Sequence, residues 1–346
     1  MTLRDERQSE LGVVPAGVTA GFAVFDRHTG RFVQQSDADH RFRSASVVKL
    51  LIVLDLLWDR GPAYDVDPAD RSRLEVMLRS SDDDAASYYW DDRGGAAIVD
   101  RMVRRLGLTH TAGPPPTHPG FWGYVAITAA DTVRIYRYIL DHAARPVREF
   151  VMELLHEPTR YGTDGFDQYF GIASVFDPDF SIKQGWSGFL GSSGFGSDRA
   201  KPLDCAVDLV NDALHTTGTV GKNDRCIVSV YTLHPRGTQY GKAYTDVTRL
   251  TRSLDVPGAV RTTGSWLTTT GVGVRVRTAP NTSCGILGQL PAGVEVLVSG
   301  QRQGEFIDAP PRSSDWWAYL PKYGGYVTTV YVGSGAPKLP GVPVYQ

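Results

Sequence analysis

The sequence predicts an α/β (α+β) fold, one antiparallel sheet beside a helical lobe, followed by a small all-β barrel. Strand-like alternation stands at both ends of roughly the first 258 residues, with helix-period segments between. A stretch rich in Gly, Thr and Pro over Asp255–Thr270 reads as a linker. Beyond it, short alternating runs are separated by Gly and Pro turns. The domains expected are therefore 1–258, a linker at 259–271, and 272–346.

Val18–Asp26 and Arg31–Gln35 read as two strands around the Arg27-His28-Thr29-Gly30 turn. The apolar run from Val47 to Trp58 reads as a buried helix, with Ser44 as its N-cap. Helical segments follow over Pro68–Ser80, Ser81–Trp90 and Gly95–Leu106. Pro114-Pro115-Pro116 opens an irregular loop to about Ala126, and helices resume over Ala129–His142 and Pro146–Leu155. Asp179–Trp186 reads as an edge strand, followed by strands near Asp204–Thr216 and Cys226–His234 and a closing helix over Tyr240–Leu254. This order puts the helix that starts at Ser46 and the strand that carries Lys183 at the seam of sheet and lobe, where a cleft forms.

Composition excludes several classes of function. With 42% hydrophobic and 21% charged residues, the chain has ordinary globular values. A formal net charge of −2 gives no electrostatic case for nucleic acid or an anionic membrane. The run Val47–Trp58 contains Lys49 and Asp55 and is too short for a membrane span. The N-terminal Met-Thr-Leu-Arg-Asp-Glu-Arg has no hydrophobic core of a signal peptide. The expectation is either a cytoplasmic protein or the mature form of a secreted or cell-envelope one. Three cysteines without C-x-x-C spacing and scattered histidines predict no metal and no cofactor. Cys205 and Cys226 could be bridged if their strands adjoin, which would leave Cys284 single.

The chemistry begins at Ser46-Val47-Val48-Lys49. A hydroxyl and an amine three residues apart share one helix face. Burial weakens the lysine's hold on its proton, so Lys49 can serve as a base and Ser46 as a nucleophile. In the first turn the Ser46 backbone N–H is also available to an oxyanion. Ser81-Asp82-Asp83 follows 35 residues after Ser46, and Lys183-Gln184-Gly185 lies 102 residues beyond Ser81. In this order the segments resemble the S-x-x-K, S-D-N and K-T-G set of the serine β-lactamases and penicillin-binding proteins. Ala85-Ala86, Gly94-Gly95-Ala96 and Arg104-Arg105-Leu106-Gly107 extend the resemblance to the class A helix pair, and it covers roughly residues 15 to 255.

The resemblance implies a serine hydrolase or acyltransferase that forms an acyl-enzyme on Ser46 with an amide or ester, either a β-lactam or a wall peptide. Lys49 matches the lysine that takes the proton from Ser46. Ser81 matches the serine that relays a proton to the leaving nitrogen, and Lys183 the strand lysine that supports the relay. The backbone N–H groups of Ser46 and Trp186 match the oxyanion hole, with Asp83, Gln184 and Gly185 at substrate-binding positions. Three departures stand out. The loop Ala112–Thr128 contains no carboxylate to activate water for deacylation, and His118 is its only conventional base. Asp83 stands where the family has asparagine and would favour a protonated Lys49. Gln184 replaces a small hydroxyl residue and narrows the pocket. Efficient β-lactamase activity is therefore not expected. A non-catalytic binding or receptor protein and a biosynthetic acyltransferase remain as alternatives.

After the linker, Gly273 to Pro280, Ile286 to Val296, Trp316-Trp317-Ala318-Tyr319 and Gly325-Tyr326-Val327 resemble a bacterial SH3 domain. That resemblance implies either a cell-wall peptide as ligand or a barrel that binds nothing.

Overall fold

The computed structural model describes residues 13–189, 207–334 and 336–345. They form two compact units, one running to Thr238 and including Val247–Val260, the other made of Gln239–Asp246 with Arg261 onward.

The first unit opens with β1 (Thr19–Asp26), β2 (Arg31–Ser36) and β3 (Phe42–Arg43). A tight 3-10 turn, Ala45–Val48, then leads into α1 (Lys49–Trp58). Three helices follow: α2 (Pro68–Arg79), α3 (Asp83–Asp92) and α4 (Ala97–Leu106). After the Pro-rich loop come β4 (Ala126–Ile127), α5 (Ala129–Arg137), α6 (Arg145–His156) and a single turn, α7 (Ile172–Val175). The unit returns to the sheet with β5 (Phe180–Ser187), β6 (Asp212–Val220) and β7 (Cys226–His234), before α8 (Tyr240–Ser253), which is divided between the units.

The sheet order is β2-β1-β7-β6-β5, antiparallel throughout, with β5 on the edge where the sequence places it. α1 explains the core. Its sequence KLLIVLDLLW is buried from Lys49 to Leu57, too apolar all round for a surface helix. The two charged side chains it buries are both answered. Asp55 accepts from Arg93 at the end of α3 and from Arg101 and Arg105 of α4, at 2.7 to 3.2 Å, which ties three helices together. Lys49 belongs to the site described below. Opposite α1, the short pairing of β3 with β4 pins the end of the Pro-rich loop beside the 3-10 turn.

One strand differs from its expected place. The reading near Asp204–Thr216 begins on residues outside those described, and the strand runs Asp212–Val220 instead. Gly218 in this strand is a packing requirement, because a Cβ there would collide with the Ser181 carbonyl of β5. Cys205 likewise lies outside the described residues. Cys226 is a buried free thiol whose pKa is pushed up to about 12 by burial.

The second unit contains β8 (Ser265–Thr268), β9 (Val274–Arg277), β10 (Ile286–Leu290), β11 (Glu295–Val298), β12 (Gly300–Ala309), β13 (Arg312–Leu320) and β14 (Gly325–Thr328). Five of these form an antiparallel sheet, β10-β9-β14-β13-β12, and β8 pairs with β11. The segment read as a linker at 259–271 therefore holds a strand. Trp266 and Leu267 supply the β-forming side chains, between Thr- and Gly-rich flanks that mask them in the sequence.

Candidate active site

The site is assembled by three backbone segments. The first is the turn Ala45–Val48. Ala45 has φ +44°, a left-handed conformation that costs a residue with a Cβ free energy and is kept only where the surroundings impose it. Ser44 takes the N-cap position but makes no capping bond, and its hydroxyl donates instead to the Ala45 carbonyl at 3.1 Å. The second segment is Ser81. α3 starts two residues later than its sequence indicates, with Asp82 as the N-cap accepting from Ala85 N at 2.7 Å. Ser81 is left in the preceding turn at φ +57°, a second strained position. The third is β5, which comes close to the Ser46 turn because residue 185 is glycine. A Cβ at Gly185 would stand 3.0 Å from the Ser44 carbonyl oxygen and 3.3 Å from Ala45 Cβ. The backbones of Ser46 and Trp186, the expected oxyanion donors, lie on these two apposed segments.

The side chains converge as the motif order implies. Lys49 is fully buried, and its Nζ donates to Ser46 Oγ at 2.9 Å, to the Ser81 carbonyl at 2.6 Å and to Asp83 Oδ1 at 2.6 Å. Three acceptors match the three N–H bonds of an ammonium, whereas a neutral amine has two. Burial lowers the Lys49 pKa, and the Asp83 carboxylate acts against that shift. Lys183 Nζ donates to Ser81 Oγ at 2.8 Å. Burial, and next the positive charge of Lys49, hold Lys183 well below the ordinary lysine range. Ser46, Lys49, Ser81 and Lys183 thus form one chain of contacts, with the two serine hydroxyls on adjoining lysines.

One expected position does not meet its expectation. The Gln184 side chain is fully buried, and its Nε2 donates to the carbonyls of Gln168 and Phe170, both at 2.9 Å. A strand alternates its faces, so a residue next to Lys183 turns away from the site, and this amide holds the segment before α7 rather than a substrate. His118 does not line the cavity beside Ser81. It stands edge-on to Phe121 and Tyr124, with its backbone N–H turned back to the Pro115 carbonyl.

Two residues were missed in the sequence. Trp122, from the loop that lacks a carboxylate, places its ring 4.8 Å from Lys49 Nζ and donates its indole N–H to Ser87 Oγ at 3.2 Å. Asp164 arrives from the segment between α6 and α7. Its Oδ2 accepts from Trp186 Nε1 at 2.7 Å, and its pKa is raised, chiefly by burial. Asp164, Trp122, Ser81 and Asp83 share the lining of a cavity of about 550 Å³. Ser46, 5% exposed, does not itself line that cavity, and Lys49 links it by hydrogen bonds to Asp83, which does. No sequence signal marks Asp164, since an aspartate beside Gly165 reads as an ordinary turn residue.

Among known proteins, LppW of Mycobacterium tuberculosis and of Mycobacterium bovis, lipoproteins by name, are each 31% identical over 260 residues, 73% of this chain and 75% of theirs. No family model matches the chain. Among solved structures, PBP-A superposes with a TM-score of 0.52 at 15% identity, over 72% of this chain and 94% of that one. A PBP-A variant in acyl-enzyme complex with penicillin G matches equally well, over 95% of its chain. A class A β-lactamase from Mycobacterium abscessus matches with a TM-score of 0.50 and 19% identity, over 72% and 96%. At such identities the likeness is one of fold, and the fold is that of the serine β-lactamases and transpeptidases.

Proposed function

This chain belongs to the family of the lipoprotein LppW, and from that premise we propose that it is a serine acyl-transfer enzyme whose nucleophile is Ser46. The observation that carries this reading is the 2.9 Å contact between Ser46 Oγ and the fully buried Lys49 Nζ. An isolated buried lysine is costly unless its setting uses it. In the proposed acylation, Lys49 first gives up one proton to solvent by way of the Asp83 carboxylate it touches and becomes a neutral amine. Ser46 Oγ then attacks the carbonyl carbon of an amide or ester while its proton passes to Lys49. The leaving nitrogen or oxygen departs with a proton from Ser81 Oγ, which takes in its place the proton that Lys49 accepted, and the contact of Lys183 with Ser81 Oγ supports that relay. The Ser46 and Trp186 N–H groups hold the developing oxyanion.

Release of the acyl group is the slower half. The loop Ala112–Thr128 directs Trp122, not a carboxylate, at the site, and loss of a positioned base costs about 10² to 10⁴ in rate. A receptor that stays acylated is the second reading, favoured by the absence of a carboxylate from the Ala112–Thr128 loop. The name of the relatives supports an envelope location, where wall peptides are the available amides. The second unit is proposed as a separate SH3-like module for such a peptide.

The deciding experiment is intact-mass measurement after exposure to a neutral fluorophosphonate, a penicillin and a D-Ala-D-Ala peptide, with Ser46→Ala alongside. An adduct on the wild type alone is expected, formed in a burst and released slowly. No adduct, or one that survives Ser46→Ala, removes Ser46 as the nucleophile. Rapid sustained turnover would overturn the slow release and direct mutation to Asp164.

A further inference from the structure

A short turn of chain at residues 159–168, outside the three motifs, touches two of the three segments that build the site. Tyr161 and Asp167 are bridged across it, and Gly162 N donates to the Phe166 carbonyl at 2.9 Å. It is docked on the two residues before Ser81. Thr159 N donates to the Arg79 carbonyl at 3.1 Å, Thr163 N to the Ser80 carbonyl at 3.0 Å, and Gln168 Nε2 to the Arg79 carbonyl at 2.7 Å. Its tip meets β5. Asp164 Oδ2 accepts from Trp186 Nε1 at 2.7 Å, while Oδ1 of the same carboxylate accepts from Phe166 N at 3.2 Å. The fit around this pair is close, since a Cβ on Gly162 would stand 2.7 Å from Asp164 Oδ1 and 2.9 Å from Trp186 Cζ2.

These contacts bear on the chemistry through what each segment supplies. Ser81, held at φ +57°, is the proposed proton donor to the leaving group. The Trp186 N–H is the proposed second oxyanion donor. Gly185 before it offers no side chain to anchor the strand, which leaves that task to Gln184 on one face and Trp186 on the other. Asp164 also carries a charge that bears on both Lys49 and Lys183. Its own ionisation is made harder chiefly by burial, against the Trp186 hydrogen bond and the Lys49 charge. Asp164 thus has two routes to the chemistry, its charge on the lysines and its grip on the indole. Only the second needs the hydrogen bond.

We infer that Asp164 is a positioning residue for the acylation of Ser46: its hydrogen bond with the Trp186 indole sets the Trp186 backbone N–H against the Ser81 segment, so that oxyanion donor and proton donor meet one substrate carbonyl. This deepens the acyl-enzyme reading and rests on it. An oxyanion donor acts on charge that develops only in the transition state, so its misplacement slows the bond-making step and leaves substrate binding as it was. An asparagine at 164 keeps an oxygen that accepts the indole N–H, whereas an alanine has none. The effect travels through the indole, so it disappears when the indole does.

The test follows acylation by p-nitrophenyl butyrate, read as the burst of p-nitrophenolate and as acyl mass on Ser46, over a range of ester concentrations. Asp164→Ala should lower the saturating acylation rate at least about tenfold, with the half-saturating concentration unchanged. Asp164→Asn should recover most of that loss. In a Trp186→Phe background, which keeps the backbone N–H, Asp164→Ala should cost little more, as expected of two residues that act as a unit. The wild type supplies a check in which no variant has to fold: by nuclear magnetic resonance, one tryptophan indole N–H signal should shift as a carboxyl group titrates. Asp164→Asn as slow as Asp164→Ala, or an undiminished loss in the Trp186→Phe background, overturns the inference. So does a changed half-saturating concentration in place of a changed rate, or the absence of a titrating indole signal. Each of these leaves the acyl-enzyme reading standing while Ser46→Ala still abolishes labelling. If the ester does not label Ser46, the acyl-enzyme reading falls and this inference with it.

Discussion

Replacing Asp83 by asparagine removes the anion in contact with Lys49 but leaves an oxygen that can accept the same hydrogen bond. The contact is 2.6 Å long, and the Asp83 side chain is 38% exposed while that of Lys49 is fully buried. At this separation two unit charges interact by about 6 kcal/mol at an effective dielectric of 20 and about 1.6 kcal/mol in bulk water. The exposure of Asp83 puts the pair near the screened end. About 1.4 to 2.7 kcal/mol then corresponds to about one to two units of Lys49 pKa. The direction is fixed. Burial already lowers this pKa and Asp83 opposes that, so Asp83→Asn lets it fall further. The neutral amine then exists at lower pH, and the acid limb of Ser46 reactivity moves down by about one to two units. The assay is the rate of Ser46 phosphonylation by a neutral fluorophosphonate, followed by intact mass over about pH 5 to 10, where a buried lysine titrates. An acid limb that stays in place or moves upward refutes Lys49 as the base.

Other perturbations test the scaffold. Gly185→Ala places a methyl 3.0 Å from the Ser44 carbonyl oxygen, so β5 must retreat by a few tenths of an ångström from the Ser46 turn. Ser46 labelling should fall about tenfold with little change in melting temperature, as small misplacements of reacting groups do. Asp55→Asn leaves Arg93, Arg101 and Arg105 around a buried neutral amide and should cost about 3 kcal/mol in chemical denaturation. The low end of the range applies because the three arginines, 22–29% exposed, can be resolvated. His156 has a raised pKa, first through its hydrogen bond to Asp224, so its contribution is complete below the unfolded value of about 6.5 and is lost as pH rises through the folded one. Wild-type stability should therefore drop above that pH by more than the His156→Gln variant, in urea titrations at matched ionic strength.

The sheet, the helical lobe and the meeting of Ser46, Lys49, Ser81 and Lys183 were legible because each depends on local signals. Those signals are an apolar run, a period and the order of three short motifs. What stayed hidden depends on what lies across from a residue. Ser265–Thr268 reads as linker until β11 supplies its partner. Gln184 looks like a substrate contact when it is counted along a motif, but strand alternation gives it to the carbonyls behind. Asp164 is the clearest case. The Ala112–Thr128 loop holds no carboxylate. The cavity draws its carboxylates from α3 and from a segment more than thirty residues later in the chain. Asp83 shows why this matters for chemistry. From the sequence its effect on Lys49 could be signed but not weighed. The weight comes from a 2.6 Å contact, a buried amine and a third acceptor at Ser81, which together favour the ammonium against the effect of burial. Activation of Ser46 must then begin by taking a proton from Lys49, and the groups that set how readily this happens are the carboxylates that line the cavity.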